Sequence, residues 1–293
     1  MIEISGTTLC CIDCLNYDLS IRAIKQCLHL CKFERILFLT DKEHHVENID
    51  VIKIPNISTK EHYSRFVIKE LNKYINTDFA LLIQWDGYIV NQYSWKNEFQ
   101  DYDYIGAKWW YNDGYNVGNG GFSLRSKRLL QTLSNDNIPI SGDSLKHGED
   151  TFICRIIREY LEIQHDIEFA PEIIADQFSH ERSDPKHDTF GFHGLFNMWK
   201  YIKNIDELIN FASLLSPKTL NSMEAEDLGL FYHALGQLNE AEIVYRKILE
   251  FYPNKTAISE LLDMAHKKIL PQLVYRNLVG KLGMIDIGAY NNI

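Results

Sequence analysis

Apolar positions along the first ninety residues follow two periods that take turns. Residues 7–16 (TTLCCIDCLN) form a near-continuous apolar run and predict a buried strand. Residues 19–32 (LSIRAIKQCLHLCK) place apolar side chains at helical spacing, and ERILFLTD, residues 34–41, returns to a strand. A short strand at IDVIKIP, an amphipathic helix at EHYSRFVIKELNKYI and a second buried strand at ALLIQWDG follow. Strands alternating with helices predict right-handed βαβ units and a mainly parallel sheet.

Beyond about residue 100 the pattern changes. DYDYIGAKWWYNDGYNVGNGGFSLRS is rich in glycine and aromatics and predicts loops and mixed strands around a site. SKRLLQTL and EDTFICRIIREYLE predict helices, EFAPEIIADQFS predicts an extended segment, and DPKHDTFGFHG predicts a loop. The last third is helical throughout. In AEDLGLFYHALGQLNEAEIVYRKILEFYPN, Leu228-Gly229, Tyr232, Gly236, Ala241, Tyr245 and Pro253 resemble a tetratricopeptide repeat, with Ile248 where a small residue is usual. One repeat cannot bury its own face, so helices at about 205–215 and 256–270 are expected to cover it. It reads equally as a partner-binding or dimerising surface and as a helical cap. The expected division is a first domain over residues 1–203 and a helical region over 204–293.

Composition narrows the functional classes. The net charge of −10 and the lack of a Lys/Arg cluster exclude a general nucleic-acid binder. The segment MIEISGTTLCCID has no basic stretch leading into an apolar core, so no signal peptide is expected. Of six cysteines, five precede residue 32. Cys10-Cys11-x-x-Cys14 lacks the second ligand pair of a structural zinc site. Reduced thiols packed in a strand of a cytosolic protein are the expectation.

Four short stretches carry candidate chemistry. Asp86 follows a buried strand directly and should emerge at the carboxyl edge of the sheet, where open α/β sheets bind ligands. An Asp-Gly turn alone would also explain it. In VGNGGFSLRS, glycines flank Asn119 and let the backbone pass close to a ligand; neither a dinucleotide fingerprint nor a phosphate-binding loop is present. In HGEDTF, Glu149 and Asp150 open a helix, where carboxylates complement the dipole or accept a proton from a hydroxyl nucleophile. In TFGFHG, His193 sits between aromatics and glycine, and a lone histidine is more often structural than a ligand. Trp109 and Trp110 would offer flat faces to a sugar, or fill a core.

Taken in order, IQWDG, YDYIGA, GNGGFSLRS, EDTF and FGFHG resemble the GT-A class of nucleotide-sugar glycosyltransferases. More closely, they resemble a bacterial and fungal domain-of-unknown-function family presumed to hold such enzymes. The resemblance covers roughly residues 5–200 and implies an α/β fold with a Rossmann-like mixed sheet flanked by helices. It implies that Asp86 and His193 bind Mn2+ or Mg2+ at the donor diphosphate. Gln84 stands where the class has a first acid. Gly120, Gly121 and Phe122 would line the donor and acceptor cleft, Asp13 would meet the base or ribose, and Trp109 and Trp110 the acceptor. Asp150 would be the catalytic base of an inverting transfer, with Glu149 holding an acceptor hydroxyl.

The implied donor is a uridine diphosphate sugar and the implied acceptor a glycan or glycolipid, with surface polysaccharide as product. The implied location is the cytoplasm, at or near the inner face of a membrane. Two other classes compete with this reading. One is a GT-A-like binding protein that has lost catalysis, to which Gln84 points. The other is a hydrolase with paired carboxylates, against which adjacent Glu149 and Asp150 make a poor opposed pair.

Overall fold

The computed structural model describes residues 1–135, 138, 140 and 142–270. The chain divides into two compact units, Met1–His193 and Gly194–Ile293. Residues 271–293 of the expected helical region lie outside the described residues.

The first unit is built on a six-stranded mixed sheet. Its strands in chain order are β1 (Ile2–Ile12), β2 (Cys31–Thr40), β3 (Asp50–Lys53), β4 (Phe79–Ile83), β5 (Tyr104–Ile105) and β6 (Phe122–Ser126). In space they run β3-β2-β1-β4-β6-β5. The first four are mutually parallel, and β6 lies antiparallel to both β4 and β5. This is the mixed α/β sheet flanked by helices expected of the GT-A class. Helix α1 (Tyr17–Leu30) joins β1 to β2, α2 (Lys60–Lys69) lies between β3 and β4, and α3 (Lys127–Ser134) leaves β6.

Local sequence explains these boundaries. Thr59 caps α2 by accepting the His62 N–H at 3.1 Å, and Ser126 caps α3 by accepting that of Leu129 at 3.0 Å. Strand β4 is hydrogen-bonded on both sides, and Ala80, Leu81, Leu82 and Ile83 are all fully buried. A strand covered on both faces loses the period-two alternation and reads as a solid apolar run. All six cysteines are free thiols, and Cys10 and Cys11 sit inside β1 with no exposure. Burial pushes the Cys10 thiol up to about 12, which keeps it a neutral, unreactive packing group.

One element differs from expectation. The segment predicted as extended at EFAPEIIADQFS turns helical at Glu172–Phe178. Pro171 precedes it with the fixed φ that starts a helix, and Ala175 and Phe178 bury one face at i, i+3 spacing. The predicted helix at EDTFICRIIREYLE is present but not uniform. A short α-turn at Glu149–Thr151 passes through a π-helical stretch, Phe152–Ile156, before Arg158–His165. π-Helical turns often occur at functional sites.

The second unit is helical. Its main elements are Ile205–Leu214, Met223–Ala234, Leu238–Phe251 and Thr256–His266. Leu228, Tyr232, Ala241, Tyr245 and Ile248 are fully buried between them, and Tyr232 Oη donates to the Ile202 carbonyl at 3.1 Å. Among the described residues, no helix is long and apolar enough to cross a membrane.

Candidate active site

The carboxyl end of β4 organises the site. Beyond Ile83 the chain turns, with Gln84 N–H donating to the Gly121 carbonyl at 2.9 Å and Gly87 N–H to the Gln84 carbonyl at 3.1 Å. Asp86 therefore leaves the sheet at its carboxyl edge, as read from the sequence, and is 5% exposed. Ile83 pairs with Phe122 across β4 and β6, so Gly120 and Gly121 lie at the same edge.

His193 reaches this edge through a small three-stranded sheet. Gly191–Phe192 pairs antiparallel with Tyr88–Ile89 and parallel with Ser179–His180, and His193 N–H donates to the His180 carbonyl at 3.0 Å. The imidazole then spans two acids. Nδ1 lies 3.2 Å from Glu181 Oε1, while Nε2 lies 3.3 Å from Asp86 Oδ1 and 3.3 Å from Gln84 Oε1. Burial opposes its charging, but the Asp86 and Glu181 carboxylates outweigh burial and hold its pKa well above 6.5. Two carboxylates converging on one ring concentrate negative charge at this edge.

Asp86 Oδ1 is buried with no aligned hydrogen-bond donor. Among the described residues no three His, Cys, Asp or Glu side chains form a metal-binding group. The donor set on offer is thus one carboxylate, one imidazole and the Gln84 amide oxygen, which fits a divalent cation whose remaining ligands come from a bound anion.

The second half of the site faces the first across the Asn119-Gly120-Gly121 turn. Asn119 adopts a left-handed backbone, φ 68°, and its Oδ1 accepts the Gly121 N–H at 2.8 Å. The two glycines make room for the protein's own side chains. A Cβ at Gly121 would lie 2.1 Å from His193 Nε2, and one at Gly120 would lie 2.0 Å from Glu149 Oε1. Gly120 N–H donates to Asp150 Oδ2 at 3.2 Å, and Thr151 N–H to Oδ1 at 2.7 Å. Burial first, and then the neighbouring Glu149 charge, raise the Asp150 carboxyl from 3.8 to about 6, against the pull of the Thr151 N–H and Lys60. That is a suitable range for a general base near neutral pH.

Several sequence-predicted roles need correction. Phe122 is fully buried in an aromatic cluster with Phe178 and Phe190, so it supports the turn and lines no cleft. Trp109 is 6% exposed and its ring lies directly under Gly118, which makes it core. Trp110 is half-buried beside Tyr111, at a centroid distance of 5.3 Å. Asp13 uses its carboxylate within its own loop. Oδ1 accepts from the N–H groups of Leu15 and Asn16 at 2.6 and 2.7 Å, and Oδ2 accepts from the Ser20 hydroxyl at 3.1 Å. This ties β1 to α1 and leaves little for a ribose. Glu149 faces the interior, 4% exposed, with Oε1 held by Arg125 Nη2 at 3.0 Å; no acceptor hydroxyl meets it there.

Two residues escaped the sequence reading: Glu181 and Arg125. Glu181 leaves no signal in a loop rich in charge. Arg125 does leave one, because a charge inside the buried run FSLRS demands a buried partner.

Comparison with known proteins gives two kinds of match. A family model described as "Protein of unknown function (DUF5672)" matches residues 46–193. No curated protein matches the sequence. Among solved structures, the chain is similar to the galactosyltransferase LgtC in complex with donor and acceptor sugar analogues. Identity is 12% over 64% of this chain and 86% of that one, with a TM-score of 0.35. It is also similar to S. aureus TarS in complex with UDP-GlcNAc, at 10% identity over 94% of this chain and 92% of that one, with a TM-score of 0.29.

Proposed function

We propose, for a chain that belongs to the DUF5672 family, that it is a metal-dependent glycosyltransferase. In this reading it moves a sugar from a nucleotide-sugar donor, a uridine diphosphate sugar, to a hydroxyl of a glycan or glycolipid. The observation that carries the reading is the convergence at one peptide turn. Gly121 packs on the Asp86–His193 pair while Gly120 donates to Asp150, so a cation-seeking group and a raised-pKa carboxylate share one sheet edge.

Asp86, His193 and the Gln84 amide would hold Mn2+ or Mg2+, with Mn2+ the better match to an imidazole-containing set. When bound, such a cation supplies charge neutralisation for a departing diphosphate. Asp150 takes the proton from the acceptor hydroxyl as its oxygen attacks the anomeric carbon, which inverts the configuration. Glu181 orients the His193 ring from its far side, as partners of a ligating histidine do. Trp110, half-buried beside Tyr111, would meet the acceptor sugar.

In the same reading the helical region from about residue 204 would be a tetratricopeptide-like repeat. It would serve to recruit a partner or a second copy of the chain, at the inner face of a membrane where surface polysaccharide is assembled.

A panel of nucleotide sugars assayed with Mn2+ tests the reading. Transfer or slow donor hydrolysis supports it; donor binding without any turnover would favour a binding protein that has lost catalysis. Gln84 is the residue that favours this second reading, because an amide stands where the class has an acid.

A further inference from the structure

Arg125, the fourth of five residues in β6, is fully buried in a strand with no exposed residue. Its Nε donates to Ser123 Oγ at 3.1 Å and its Nη2 to Glu149 Oε1 at 3.0 Å. Its guanidinium lies 5.2 Å from the centre of the Tyr104 ring. A buried ion pair of this kind rarely stabilises a fold more than apolar side chains of the same volume would. Its presence in a core strand therefore asks for another explanation, and its neighbours supply one.

The groups on either side of the pair bear on one turn. Tyr104 Oη donates to the Asn119 carbonyl at 3.0 Å. Glu149 Oε1 presses on Gly120 so closely that no Cβ could fit between them. The Gly120 N–H then holds Asp150 Oδ2 at 3.2 Å. Arg125 and Glu149 are separated by 24 residues in sequence, and their pairing ties β6 to the turn that opens with Glu149.

We propose that Arg125 is a positioning residue for Asp150. It fixes Glu149 against the Gly120 peptide, and that peptide's N–H sets the orientation in which the Asp150 carboxylate meets the acceptor hydroxyl. Glu149 is then a structural arm of the base and not a contact to substrate. The proposal rests on the transferase reading, in which Asp150 is the base.

The experiment compares the wild-type protein with Arg125→Met and with the double variant Arg125→Met/Glu149→Gln, which removes both charges and keeps the volume. Folding is verified by thermal unfolding. The expected result is a donor KM within about threefold of wild type and a kcat about a hundredfold lower, the size of effect that a small misplacement of a reacting group produces. In the same variant, the Gly120 amide resonance should cease to follow the titration of Asp150. A folded double variant with wild-type kcat, or with a Gly120 amide that still follows Asp150, overturns the proposal.

Gly120→Ala gives a second route should the double variant not fold, since it displaces Glu149 without touching either charge. The same fall in kcat is expected, and wild-type turnover would refute it. If the wild-type protein turns over no nucleotide sugar, the transferase reading fails, and the amide measurement alone still decides whether Arg125 positions Asp150.

Discussion

Asp150→Asn should make the metal-free protein more stable at neutral pH while abolishing transfer. Burial and the Glu149 charge raise the Asp150 carboxyl from 3.8 to about 6 in the folded protein. In the unfolded chain the carboxyl titrates near its ordinary value. Between roughly pH 4 and 6 the folded state therefore binds the extra proton, and stability falls as pH rises through that window. Above pH 6 the ionised form has cost about 3 kcal/mol, taking about 1.4 kcal/mol for each pH unit between the two values.

Asparagine never ionises and escapes that cost. It keeps one oxygen for the Thr151 N–H but presents its amide nitrogen to the Gly120 N–H, a loss of about 1 kcal/mol. The net gain at pH 8 is about 2 kcal/mol, or a rise in Tm of about 4–8 °C for a unit of this size. The assay is thermal unfolding of both proteins from pH 4 to pH 8 without metal, beside a transfer assay at pH 8. The gain should shrink to nothing by pH 4. Parallel stability curves across that range, or an asparagine variant less stable at pH 8, would show that Asp150 carries no ionisation cost in the fold.

Other outcomes follow from the same geometry. Wild-type transfer should rise with pH through an acid limb near 6, set by Asp150, and a limb left near 4 would point to another base. Asp86→Ala should remove the Mn2+-dependent part of donor affinity in calorimetry; affinity that still responds to Mn2+ would exclude Asp86 as a ligand. Gly121→Ala drives a methyl group into the His193 ring, so it should lower metal-dependent donor binding at least tenfold, and unchanged binding would refute the close packing. In the helical unit, Ile248→Ala should lower stability by about 2–5 kcal/mol in urea unfolding, because Ile248 is fully buried. A stabilised variant would mean that the small residue usual in the repeat is the better fit there.

The order of strands and helices was legible because each element announces itself locally. The apolar run Ala80–Ile83 and the helical spacing from Leu19 to Cys27 each act over a few neighbours. The helix at Glu172–Phe178 was missed because seven residues give less than two turns of periodicity, and its start depends on Pro171. Phe122 was misread for a different reason. All five residues of β6 are buried, so alternation along the strand could not tell which side faced the cleft.

The sequence by itself determined that Asp86 would stand at the end of a buried strand, and that glycines, an acidic pair and a late histidine would follow it in order. Those are consequences of short-range pattern: a run of apolar residues must end at a sheet edge, and the polar residue after it must lie there. Only the tertiary structure decided what these residues face. Gly121 and His193 are 72 positions apart, and it is the pairing of Gly191–Phe192 with Tyr88–Ile89 that closes the gap. The direction of Glu149, inward to Arg125, is likewise set by a contact that no local period encodes. Which side of a helical turn or strand meets a partner is decided by packing energy summed over the whole core, and that sum exists only once the chain has folded.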